Sequence, residues 1–119
     1  MTNINTVDIF QLSQNALQWE PYLIEGEESG QVVLLRQTEE ERGMVVAGLW
    51  KHTSGENPNG IPFNVAGSES FHVINGAAEL TLKNGEVLKI EAGNSYSFAA
   101  GFSGNWKTIT PFSKFFVIT

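Results

Sequence analysis

Punctuation decides how this chain can fold. From residue 31 onward, short apolar or alternating runs follow one another, and turn residues separate them. The runs are 31–36 (QVVLLR), 44–50 (MVVAGLW), 68–74, 77–83, 86–91, 96–99, 105–110 and 114–118. Asn75-Gly76 and Asn84-Gly85 are strong hairpin dipeptides, because both central residues of a type I′ turn take positive φ. Gly93-Asn94 marks a further turn, and residues 53–61 (TSGENPNGI) read as a loop. Short strands at such spacing predict an all-β sandwich or barrel. The nearly continuous apolar runs 31–36 and 44–50 predict strands covered on both faces.

Residues 1–30 read differently, as an N-terminal arm packed on a barrel of residues 31–119, the whole being one domain. Asp8-Ile9-Phe10 is a candidate short strand, and Ser13 a candidate cap for one helical turn over 13–17. Trp19, Tyr22 and Ile24 are expected to anchor the arm.

With 119 residues the chain can bury a core unaided. It contains no cysteine, which excludes disulfides, thiolate metal sites and a cysteine nucleophile. The net charge is −6, and the seven Lys and Arg are scattered. No basic stripe exists to neutralise phosphates, so no nucleic-acid partner is expected. Residues 1–13 lack a basic segment leading into an apolar one, and no apolar run is long enough to span a bilayer. These features predict a cytoplasmic protein with no membrane partner.

Alternation assigns the faces. Glu69, Phe71 and Val73 share one face of their strand, and Ser70, His72 and Ile74 the other. Ala78, Leu80 and Leu82 share a face, as do Tyr96 with Phe98 and Trp106 with Thr108. Glu69 is thus a carboxylate among apolar neighbours and is expected to point inward.

These residues resemble the cupin superfamily. Glu69, the six residues SFHVIN and Gly76 resemble its first motif, which ends at a hairpin glycine. Gly93, then NSYSF, then Ala99-Ala100-Gly101 resemble its second, with Ala99 in place of a proline. The ordered set Trp50, Gly55, Glu69, Val73, Gly76, Gly93-Asn94, Gly101, Gly104, Trp106 and 114–118 is similar to the small cupins of the ureidoglycine-aminohydrolase-like and ethanolamine-utilisation-like subgroup. The resemblance covers about residues 30–119 and implies a double-stranded β-helix, the cupin jelly-roll barrel.

It also implies where a metal would be held. Metal-binding cupins place His-x-His upstream of the motif glutamate and another His after the second motif. Here Phe63, Asn64 and Val65 stand upstream and Gly104 downstream. The chain has only His52 and His72, and His72 faces away from Glu69. No metal ligands and no cofactor are therefore expected.

The expected site is an aromatic cup. Glu69 is the candidate catalytic acid or base, assisted by Tyr96 or His52. Trp50, Phe63, Asn64, Phe71, Phe98 and Trp106 are candidate ligand-binding residues, while Lys107 and Lys114 are expected to be solvated. The function expected is metal-independent binding of an unidentified small molecule, with proton transfer of the isomerase or lyase type. Two alternatives stand beside it: a non-catalytic dimeric binding or regulatory module, and a metal-dependent aminohydrolase-like cupin. A homodimer is the expected assembly.

Overall fold

In a computed structural model, residues 10–13, 15, 18–41 and 43–119 are described. They form an all-β fold of eight strands. These are β1 (Glu20–Ile24), β2 (Glu27–Glu40), β3 (Gly43–His52), β4 (Ile61–Asn64), β5 (Glu69–Leu82), β6 (Val87–Glu91), β7 (Ser95–Phe98) and β8 (Ser103–Ile118). The strand order is β1-β2-β3-β8-β5-β6, with β4 paired to β8 and β7 to β5. Every pairing is antiparallel.

Two long strands organise this jelly-roll. β5 and β8 pair along nearly their whole length, from Glu69↔Ile118 to Leu82↔Gly104. Near Glu69, β5 also pairs with β7, and beyond residue 77 it pairs with β6. The start of β8 takes β4 as its other neighbour, and its end takes β3. Each long strand thus serves two successive neighbours, which curls the sheet around the core.

This corrects the reading of Asn75-Gly76 as a hairpin. The chain runs straight through it, so 68–74 and 77–83 belong to one strand. Gly76 has φ +87° and lies at a bulge, where the register with β8 slips between Val73 and Ala78. A Cβ at Gly76 would run into the Pro111 carbonyl and Phe112 Cα, so glycine is needed for close approach as well as for its φ. Pro111, which has no N–H to give a ladder, sits opposite at the same slip. Likewise 105–110 and 114–118 are one strand.

The other turn signals fall where the chain reverses. At Asn84-Gly85 only Gly85 is left-handed, and the Asn84 side chain accepts the Glu86 amide at 2.9 Å. Gly93 (φ +89°) turns β6 into β7. The reversal with two successive positive φ values is Glu25 (+52°) and Gly26 (+83°), joining β1 to β2. No dipeptide signal was read there, because glutamate rarely takes that conformation.

β2 spans the boundary drawn at residue 30. Residues 1–9, 14, 16 and 17 lie outside the described set, and with them most of the expected strand at 8–10 and turn at 13–17. Coverage on both faces holds for residues 47–50 of β3 but not for β2, where Leu34 is 41% exposed. One reason is position: β2 has only the short β1 beyond it. Phe10 and Leu12 share a surface depression with Leu35, Leu49, Ile74 and Phe115 on the outer side.

The core follows the predicted alternation. Phe71, Val73, Ala78, Leu80 and Trp106 are buried, while Ser70 and His72 are exposed. Burying one such large side chain stabilises the fold by roughly 1.5–3 kcal/mol. Among the described residues, no helix is long and apolar enough to cross a membrane.

Candidate functional site

Three strands bring the polar centre together. Glu69 opens β5 on its inward face. Lys114 lies on β8, opposite Val73 of β5 on one side and Trp50 of β3 on the other. Its side chain runs along the sheet to place Nζ 2.8 Å from Glu69 Oε2. Lys114 is 5% exposed and Glu69 9%.

The expectation of a solvated Lys114 is therefore wrong. The signal was present in the sequence: Phe112, Lys114 and Phe116 alternate onto one face, and all three are buried. A charged residue between two inward phenylalanines must either snorkel out or find a partner. Here it finds one.

Four aromatic rings surround the ammonium. Nζ lies 4.2 Å from the ring centre of Phe71, 5.1 Å from Trp50 and Trp106, and 5.2 Å from Phe63. The negative ring faces and Glu69 both favour the charged form. Loss of hydration opposes it and prevails: burial holds the Lys114 pKa below its usual range, and Glu69 only partly offsets this.

Beside the pair is a cavity of about 200 Å³, walled by Tyr22, Trp50, Ile61, Phe63, Trp106 and Phe116, with Asn64 among its polar groups. One water needs ~10–15 Å³ of such space and pockets for drug-sized ligands measure roughly 300–1,000 Å³, so the cavity suits a small molecule. The Glu69–Lys114 bond engages one of two carboxylate oxygens and one of three ammonium hydrogens. Capacity remains on each side of the pair.

Tyr22 is the other residue that sequence reasoning missed. It was read as an anchor, yet β1 lays it along the cavity wall. Burial raises the pKa of its phenol, and the negative charge of Glu69 raises it further. The phenol thus lies in the carboxylate's field and keeps its proton. The β1–β2 hairpin carries it there, 47 positions along the chain from Glu69.

Of the nine residues singled out from the sequence, Glu69, Trp50, Phe63, Asn64 and Trp106 line the cavity. Phe71 does not, although its ring carries the ammonium. Phe98 stacks on Phe71 in the core, 5.8 Å between ring centres. Tyr96 packs its ring on Phe71, but its hydroxyl donates to the Lys89 carbonyl and accepts from the Glu91 amide. It pins the β6–β7 turn and lies outside the cavity lining.

His52 is likewise placed elsewhere. It is 2% exposed, stacked on Trp50 at 5.2 Å, on the side away from the cup. Nδ1 lies 2.7 Å from Thr108 Oγ1, and Nε2 2.7 Å from Asn57 Oδ1. Since Asn57 donates its amide hydrogens to the Glu28 carbonyl, its Oδ1 accepts, which assigns the His52 proton to Nε2. Thr108 then donates to Nδ1 and accepts the Trp106 indole N–H at 3.0 Å. The Trp50 indole donates to the Ser29 carbonyl at 2.9 Å. Both indoles offer the cup their rings and not their polar tips.

The donor set does not fit a metal. Among the described residues no group of three or more His, Asp or Glu gathers into a ligand cluster. At Glu69, the lysine ammonium already stands where a cation would bind.

A jelly-roll with an inward glutamate on β5, an aromatic cup and positive-φ glycines in both motifs, Gly76 at a bulge and Gly93 at a turn, defines a cupin. More narrowly, the chain belongs to the family of EutQ-like cupin domains, whose model matches residues 39–116. Solved structures agree on the fold. The EutQ protein of Clostridium difficile superposes with TM-score 0.69 at 12% identity, covering 98% of this chain and 90% of that one. A putative ethanolamine utilization protein Q from Salmonella typhimurium gives TM-score 0.60 at 20% identity, covering 74% and 67%. A DUF861 family protein of unknown function from Pseudomonas syringae gives TM-score 0.67 at 21% identity; the match covers 91% of this chain and 46% of that one. No curated protein sequence matches the chain.

Proposed function

We propose that the cup binds a small, uncharged, carbonyl-bearing molecule and that Glu69 moves a proton on it, without a metal, in a reaction of the isomerase or lyase type. One observation carries this reading: a buried Glu69–Lys114 pair that opens onto a cavity of about 200 Å³ with aromatic walls.

The pair has no net charge. An anionic ligand would meet Glu69, and a cationic one would meet Lys114. A neutral carbonyl compound satisfies each group in turn. Lys114 donates to the carbonyl oxygen, and Glu69 takes the proton from the adjacent carbon, whose departing electrons the ammonium stabilises. Tyr22, which stays protonated, is a second donor at the same wall. The aromatic rings exclude water, which strengthens each of these interactions. The cysteine-free chain suits work in the cytoplasm.

The test is a thermal-shift panel of small neutral carbonyl compounds, carboxylates and amines, followed by deuterium uptake at the α-carbon of any binder. Neutral carbonyls are expected to raise the Tm, and Glu69→Gln to abolish deuterium uptake. A panel with no Tm response, or uptake unchanged in Glu69→Gln, overturns the proposal.

A dimeric binding module is the second reading. It is favoured by the exposed Leu23, Leu34 and Met44 on β1–β3. Sedimentation of the full chain tests it, and a monomer at all concentrations removes it.

A further inference from the structure

The surroundings of Lys114 differ from those of the other lysines. Lys51, Lys83, Lys89 and Lys107 are exposed or half-buried, with no carboxylate within salt-bridge distance among the described residues. Lys114 alone combines burial, a cavity at its side and a carboxylate on its Nζ. We infer that Lys114 is an amine nucleophile, and that the cup captures small aldehydes or ketones as an imine on Nζ with Glu69 shuttling the protons. The inference rests on the proposed carbonyl site and deepens it, replacing a hydrogen-bonded carbonyl by a covalent one.

The chemistry uses only groups within contact. A dry, occupied cup raises the cost of holding two opposite charges, so the proton on the hydrogen bond passes from Nζ to Glu69 and leaves a neutral amine and acid. The Nζ lone pair adds to the carbonyl carbon, and the carbonyl π electrons go to oxygen. Glu69 gives that oxygen its proton and takes one from the new ammonium, leaving a carbinolamine. Glu69 then protonates the hydroxyl, which leaves as water while the nitrogen lone pair forms the C=N⁺ bond. The sum is ammonium plus carbonyl giving iminium plus water, with Glu69 again a carboxylate. No oxidant or reductant is consumed. The iminium keeps a positive charge inside the same aromatic cage, at the atom where the four rings already hold one.

The experiment is reductive trapping of the full chain with propanal and cyanoborohydride at neutral pH, with peptide mapping of each lysine. The exposed lysines act as internal standards. Lys114 is expected to gain a propyl group at least about tenfold faster than any of them, a modest demand beside the roughly 10²–10⁴-fold that a positioned acid–base group contributes. Glu69→Gln, which keeps the shape and loses the proton shuttle, should bring Lys114 back to the rate of the others. Labelling of Lys114 no faster than Lys83, or unchanged by Glu69→Gln, overturns the inference. Propanamide, a neutral carbonyl that forms no imine, separates the two proposals. If propanamide raises the Tm and Lys114 is not trapped, the imine fails and the carbonyl site stands; if neither occurs, both fail.

Discussion

Trp50 stands between two polar clusters of opposite character. One face of its ring carries His52 at 5.2 Å, and Lys114 Nζ lies 5.1 Å from the ring centre on the side of the cup. The His52 cluster is closed: both ring nitrogens, the Thr108 hydroxyl and the Trp106 indole are satisfied by one another and by Asn57. The Glu69–Lys114 cluster is open, because its single hydrogen bond leaves capacity on both partners and a cavity to use it in. A saturated network holds a fold together, whereas an unsaturated one beside a space can bind. Histidine drew attention in the sequence for its chemistry, yet here both its ring nitrogens are engaged, and it is the lysine that keeps open hydrogen-bonding capacity beside a cavity.

The sharpest way to break this contrast is to remove half of the open pair. Lys114→Met is expected to cost about 3–5 kcal/mol, because Glu69 is left buried and unpaired. Adding Glu69→Met should recover most of that loss. Urea unfolding of the two variants decides the matter, and a single-variant cost below about 1 kcal/mol would mean that the pair behaves like an exposed one.

The same pair predicts a pH dependence. Burial holds the Lys114 pKa below 10.5 in the folded state. Between that lowered value and 10.5 the unfolded chain carries a proton that the folded one has lost, so stability rises with pH across this window. Below the window both states are protonated and the full desolvation cost applies. Tyr22 acts oppositely: its pKa is raised above 10.0, so the folded state keeps the proton longer and stability falls as pH climbs past 10. Unfolding series on Lys114→Met and Tyr22→Phe should erase the rise and the fall respectively.

A smaller effect is expected on the closed side. His52→Leu strands the Thr108 hydroxyl hydrogen and Asn57 Oδ1, at about 1–3 kcal/mol for a group left unsatisfied. The Tm response to neutral carbonyls should survive; a folded variant without that response would move the site toward His52. Smaller still is Tyr96→Phe, which removes hydroxyl hydrogen bonds to the Lys89 carbonyl and Glu91 amide. Roughly 1 kcal/mol should be lost in unfolding, with ligand response unchanged.

Much of this molecule is legible because strand alternation and turn chemistry are local. Glu69 was placed inward by its neighbours Phe71 and Val73, and the reversals at Asn84-Gly85 and Gly93-Asn94 follow from glycine's access to positive φ. Gly76 was misread because one residue type serves two purposes: φ +87° fits a hairpin as well as a bulge, and the partner strand decides between them. Tyr96 and His52 were misassigned because whether a polar tip is free depends on what lies across the sheet. Phe63 and Asn64 were found, although no strand was read beneath them and the loop reading of 53–61 took in Ile61; the four residues of β4 are too few to show a period.

By itself, the sequence determined the architecture: many short strands, an inward carboxylate, no thiols and only two imidazoles. Those properties depend on residues adjacent in the chain or on simple composition. Tertiary structure alone decided the site. Glu69 and Lys114 are 45 positions apart, and Tyr22 is 47 from Glu69. Only the pairing of β5 with β8, and of β1 with β2, brings a carboxylate, an ammonium and a phenol to one cavity. Electrostatic interactions act over a few ångströms of space, regardless of how much chain lies between the charges.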